Sequence, residues 1–244
     1  MKQQQQQQQQ KVINNDRLGH SRYLMFYGII GYTMCLIGDF ILEYLPNGEL
    51  TWESISDYKM LEQATQGVTA KRFAISGVLG VFSMIFVTLG LVGISEYVHM
   101  YSSIASELML VGGVGSSVLS AVFHLIYTLM PWIFLTLNST KEGNDVKDQF
   151  LQDHQIILQI NPIFYMLFCF TLLYVVVAGK TPLPRWAGIF NIAFIFKALD
   201  YFKVNGGSNI AGAIMCTGLF ILTGMYSNKK TNNNNKNKKN KKKE

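Results

Sequence analysis

Six runs of mainly apolar residues constrain this chain more than any other feature of it. They cover about residues 23–45, 73–97, 108–134, 156–178, 183–203 and 210–226. A helix needs about 20 such residues to cross the hydrocarbon of a bilayer. Backbone inside lipid must satisfy its own N–H and C=O groups, so runs of this length fold as helices. The expected fold is therefore all-α, a polytopic transmembrane bundle with six spans. The first run stops at Pro46-Asn47-Gly48, a strong breaker. The third carries Pro131, and in the fifth the apolar character is concentrated in Trp186–Phe196.

Composition agrees once the two ends are set aside. Charged residues make up only 15% of the 244, against an ordinary share of about 25%. Residues 227–244 hold eight lysines against one glutamate, more positive charge than the net +6 of the whole chain. The remainder is close to neutral. The glutamine run Gln3–Gln10 and the Asn/Lys tract bury too little to fold, so 1–22 and 227–244 read as disordered tails. The apolar middle excludes a water-soluble enzyme. Cys35, Cys169 and Cys216 all fall inside apolar runs, which excludes a disulfide scaffold and makes them small buried hydrophobes. Because the basicity is confined to one tail, nucleic acid is not an expected partner. The lipid bilayer is, and the tail suits anionic headgroups at roughly 1 kcal/mol per lysine near the surface.

Orientation follows from lysine and arginine in short loops. Six spans put both tails on one side. Lys11, Arg17 and Arg22 precede the first span, and Lys180 and Arg185 lie between the fourth and fifth with no acid beside them. On the opposite side, 46–72 holds four acids and three bases, and 138–155 holds four acids and two bases. Both termini are thus expected in the cytosol. Within the first outer loop, Trp52, Ile55, Tyr58, Leu61 and Ala64 recur every three residues. That spacing reads as a short helix over 50–66 lying on the outer membrane surface, or as an ordered loop.

Ionisable and amide groups at membrane depth are the chemical clue, because they are costly there. Asp39 and Glu43 stand in the first span, His124 in the third, Asn161 at the start of the fourth, and Lys197 and Asp200 in the fifth. All fall in the outer half of the expected topology, so they are expected to line a polar pocket. Gly28, Gly31, Cys35 and Asp39 share one helical face, as do Gly113, Ser117, Ser120, His124 and Thr128. Small residues let helices approach closely, which turns Asp39 and His124 into the bundle. The pair can serve as an interhelical hydrogen bond, as a general acid and base, or as part of a metal site. A metal would need a third ligand, such as Asp153 or His154, and no metal-binding spacing is present. No cofactor is expected. Lys197 and Asp200 are spaced as an i,i+3 ion pair. The leading reading is a carrier-like membrane protein; the alternative is an intramembrane, lipid-directed hydrolase or isomerase using Asp39 and His124.

Two address signals remain. Asn138-Ser139-Thr140 is a glycosylation acceptor in the expected outer loop. The final Lys241-Lys242-Lys243-Glu244 resembles a dilysine retrieval signal of the endoplasmic reticulum. Gly38-Asp39, His124 and the stretch Thr181-Pro182-Leu183-Pro184-Arg185-Trp186 resemble an uncharacterised family of small six-span membrane proteins over 23–226. That resemblance implies the fold and no activity. The chain lacks the paired histidines of alkaline-ceramidase-type hydrolases, so their sites are not carried over.

Overall fold

The computed structural model describes residues 15–226 in full and the backbone alone over 2–14 and 227–240. The expected tails and the dilysine motif therefore lie largely outside the described side chains. Residues 15–22 are the exception, and they are helical, continuous with the first span.

The chain is built almost wholly of helices. The long ones are α1 (Lys2–Glu43), α4 (Ala70–His99), α5 (Ser103–Thr136), α6 (Lys141–Val177) and α8 (Gly207–Asn240). Between α1 and α4 lie a two-residue hairpin, β1 (Tyr44–Leu45) and β2 (Gly48–Glu49), and two short helices, α2 (Trp52–Ser56) and α3 (Tyr58–Thr65). After α6 comes a 3-10 turn, Arg185–Phe190, and then α7 (Ile192–Tyr201). Five helices are long and apolar enough to cross a membrane: Asn15–Glu43, Ala70–His99, Ser103–Thr136, Lys141–Val177 and Gly207–Tyr226.

The helices close a ring. α1 packs on α4 and α8, α4 on α5, α5 on α6, α6 on the 3-10 turn, and α7 on α8. α1 and α4 cross where glycine meets glycine: a Cβ added at Gly90 would stand 2.4 Å from the Gly28 Cα. Lipid offers no hydrophobic drive for association, so this close approach supplies the packing.

The two ends of the ring differ. At the terminal end, Arg22 Nε donates to the Phe220 carbonyl (3.3 Å), and His20 lies 3.6 Å from Glu96. The described start of α1 and the described end of α8 therefore sit side by side. The opposite end is capped by the hairpin, α2, α3 and the polar start of α6. Arg72 Nε and Nη2 donate to the carbonyls of Ile41 (2.6 Å) and Tyr44 (2.5 Å), closing the C-terminus of α1 with a cation. Ile55, Leu61 and Ala64 are buried against Tyr127, Met130 and Phe134 of α5. The segment expected as a single surface helix over 50–66 is thus two helices. Asp57 divides them, its carboxylate accepting from Met60 N (2.9 Å) to cap α3. Lys147 is fully buried here, its ammonium donating to the Ile55 carbonyl and lying 3.0 Å from Asp148.

The fifth apolar run departs from expectation. In place of a continuous helix over 183–203, it forms a 3-10 turn followed by ten residues of α-helix, about 15 Å at 1.5 Å per residue. Asn191 is the reason. Its Oδ1 accepts from Ala193 N (3.1 Å) as an N-cap, and its Nδ2 donates to the Cys169 carbonyl of α6 (2.7 Å). A side chain that starts one helix so well ends the preceding one. The segment still runs the height of the bundle. It leaves α6 at the terminal end and delivers Asn205 to the capped end, where Asn205 Nδ2 donates to Glu49 Oε2 (3.1 Å).

Candidate functional site

The site is assembled by α1, α5 and α8 in the half of the bundle nearer the cap. One turn separates Cys35 from Asp39, so both project from the same face of α1. Asp39 is 7% exposed. Its Oδ2 accepts from Asn209 Nδ2 of α8 at 2.6 Å, and Asn209 is itself buried. Oδ1 lies 3.9 Å from His124 Nδ1. The other ring nitrogen, Nε2, lies 2.9 Å from Cys35 Sγ. His124 reaches this position because α4 has glycine opposite it: a Cβ at Gly80 would be 3.0 Å from the imidazole Cγ. Next to it, Thr128 fills the space over Gly77.

Cys35, Asp39 and His124 each offer one ligand atom, and these atoms lie within 4.8 Å of one another. Among the described residues no other group of three such side chains is this close. Asp153 and His154, the outer-loop residues that a metal set could have drawn on, do not contribute. His154 Nδ1 lies 2.8 Å from the Phe150 carbonyl, and Asp153 is exposed. Cys35, on the Asp39 face of α1, stands beside the imidazole instead.

Beside the cluster opens a cavity of about 540 Å³, within the range of small-molecule sites. Its walls change character along its length. Near the cap they carry Asp39, Glu43, Thr51, His124, Asp200 and Asn205. Deeper they become mainly apolar, with Met84, Val87, Leu91, Phe168, Ile192 and Phe196 beside the hydroxyls of Tyr32, Tyr165, Ser116 and Ser117, the two serines donating to the Gly113 carbonyl of their own helix. Beyond these, toward the terminal end, the ring is filled by buried Ile94, Val98, Met109, Leu172, Val176 and Leu219. Asn161 sits in the wall and donates to Ser120 Oγ (3.2 Å), while its buried Oδ1 has no partner. Trp52, Phe123 and Tyr127 cluster at the mouth, with Trp52 and Tyr127 ring centroids 5.1 Å apart and Tyr127 donating to the Leu50 carbonyl (3.2 Å). The walls hold three carboxylates and no lysine or arginine.

Of the six residues expected to share a polar pocket, Asp39, Glu43, His124, Asn161 and Asp200 line this cavity. Lys197 does not. It is largely exposed and pairs with Asp200 at 3.3 Å across one turn of α7. Its long apolar stem lets the ammonium leave the bundle. Asn138 is exposed at the capped end, in the left-handed region with φ 57°. Asn209 was not anticipated, because it follows Gly206-Gly207, which reads as a turn, and precedes the last apolar run at 210. Cys35 was placed on the Asp39 face but read as a hydrophobe.

A bundle with several bilayer-length apolar helices, a polar cluster at depth and a ligand-sized cavity defines a multi-span helical membrane protein. A family model described as a family of unknown function (DUF6796) matches residues 1–217, and the chain belongs to that family. No curated protein and no solved structure matches the chain.

Proposed function

We propose that the chain crosses the membrane six times with both termini in the cytosol, and that it binds an amphipathic, lipid-class molecule in the cavity. The side-by-side position of the described ends of α1 and α8 supports an even number of crossings. The 3-10 turn and α7 together make the fifth, broken at Asn191. The excess of lysine and arginine on the terminal side supports the orientation.

The observation that carries the ligand class is the gradient along the cavity. A polar solute crossing the membrane needs a polar path toward both sides. Here the carboxylates gather at the mouth, the deeper wall is mainly apolar with no charged side chain, and buried apolar residues fill the bundle beyond it. An amphiphile satisfies both parts, with its polar end at Asp39 and His124 and its chain among Leu91, Phe168 and Phe196. α6 and α7 touch sparsely, which supports entry from the bilayer between them. Asp39 and Glu43, the two wall carboxylates without a lysine or arginine partner among the described residues, favour a neutral or cationic polar end over a purely anionic one.

The test is native mass spectrometry of the full-length protein released from its own membranes, beside Ser120→Trp, which fills the cavity at the Asn161 wall. A retained lipid adduct in the wild type that is lost in the variant supports the reading. Equal adducts in both, or none in either, overturn it. A carrier role is the second reading, favoured by the interrupted fifth crossing, since transporters place binding sites at broken helices. It predicts flux of the bound molecule between the leaflets of reconstituted liposomes.

A further inference from the structure

We propose that Cys35, Asp39 and His124 bind a zinc-class divalent cation whose remaining coordination position opens on the cavity. The inference goes beyond the ligand reading above and stands on the three side chains whether or not an amphiphile binds.

The ligand chemistry selects the metal. A thiolate, an imidazole and a carboxylate together suit zinc or a neighbouring borderline ion, and a hard ion such as magnesium would not choose sulfur. Around a tetrahedral zinc, such atoms sit about 3.3–3.6 Å apart, given bonds of about 2.0–2.3 Å. The three atoms lie within 4.8 Å of one another, so side-chain shifts of about 1 Å complete the set. Cys35 Sγ and His124 Nε2, at 2.9 Å, would move slightly apart. Asp39 Oδ1, which lies 3.9 Å from the other ring nitrogen, Nδ1, would shift along the edge of the ring toward Nε2.

Two further features point to a ligand set. Asn209 holds the second oxygen of Asp39 at 2.6 Å. It thereby fixes the carboxylate with Oδ1 toward His124, as outer-shell partners of metal ligands do. Three protein ligands beside an open cavity also match sites that keep one position free, unlike structural sites closed by four. Both Asp39 and His124 line the cavity, so the free position faces it.

The test uses the full-length protein purified in detergent without chelator. Elemental analysis is expected to find zinc in the wild type at one ion per chain, and in Cys216→Ala, which alters a buried cysteine elsewhere. Cys35→Ala, Asp39→Asn and His124→Ala are expected to lose it at least tenfold. A second readout needs no variant. After chelation and cobalt(II) loading, the wild type should show tetrahedral d–d bands and thiolate-to-cobalt charge transfer. A zinc-free wild type that gives no thiolate band with cobalt overturns the proposal. So does zinc that persists when Cys35, Asp39 and His124 are all replaced.

Discussion

The contact between Asn209 and Asp39 is where α8, the segment between α6 and α8, and the polar cluster depend on one another. Replacing Asn209 with alanine removes the 2.6 Å hydrogen bond to Asp39 Oδ2. Both groups are buried, so the loss is felt, but both also border the cavity, where water can partly replace the donor. A hydrogen bond to a charged group contributes about 1.5–3 kcal/mol in soluble proteins. Interhelical polar contacts in membranes average about 0.6 and reach about 1.7 kcal/mol. The cavity position places this one at about 1–1.7 kcal/mol. The measurement is a double-mutant cycle of Asn209→Ala and Asp39→Ala, each of which removes one partner of the bond, with stability from reversible unfolding in mixed micelles. The coupling energy isolates the pair from whatever each substitution does alone. A coupling below about 0.3 kcal/mol would mean the two side chains do not meet, and the route of the chain between Lys180 and Asn209 would have to be redrawn.

Other consequences follow from the same structure. Gly90→Ala puts a Cβ 2.4 Å from the Gly28 Cα, so α1 and α4 must separate; a loss of about 1–3 kcal/mol is expected. Gly19→Ala, with nothing within 4 Å of its added Cβ, should be neutral or stabilising in the same unfolding assay. Lys147→Met keeps the buried stem and deletes the donor to the Ile55 carbonyl. That should cost about 1–3 kcal/mol, read in the same way, and equal stability would show that the cap does not rest on this lysine. In a cysteine-less background, a membrane-impermeant maleimide should label Ser139→Cys and Asn205→Cys from outside. Gly19→Cys and Lys180→Cys should react only after permeabilisation. Equal access at 180 and 205 would mean five crossings.

Much of the architecture was legible in sequence because lipid imposes one rule on every span. The apolar runs that became α1, α4, α5, α6 and α8 were each long enough to settle the matter locally. Boundaries were less legible where a helix outruns the bilayer: α6 begins at Lys141, well before the apolar run at 156, because Gly143 and Lys147 are held by the cap. The fifth run was misread as a continuous helix because hydropathy does not register a cap, and Asn191 acts through two hydrogen bonds to partners on different elements. Small residues at helical spacing did foretell that Asp39 and His124 face inward, since that signal depends only on the 3.6-residue period. Asn209 depends on where the 3-10 turn and α7 deliver the chain, which no local pattern records. Cys35 shared the Asp39 face, yet only a neighbour 2.9 Å away distinguishes a candidate ligand from a small hydrophobe.

The most direct measurement is an experimental structure of the full chain in lipid nanodiscs, with a rigid antibody fragment bound for alignment. The account predicts elongated density in the cavity, its polar end beside Asp39 and His124 and its tail against Leu91 and Phe168. A cavity collapsed onto its own side chains, or one continuous with the terminal end through a polar path, would contradict it.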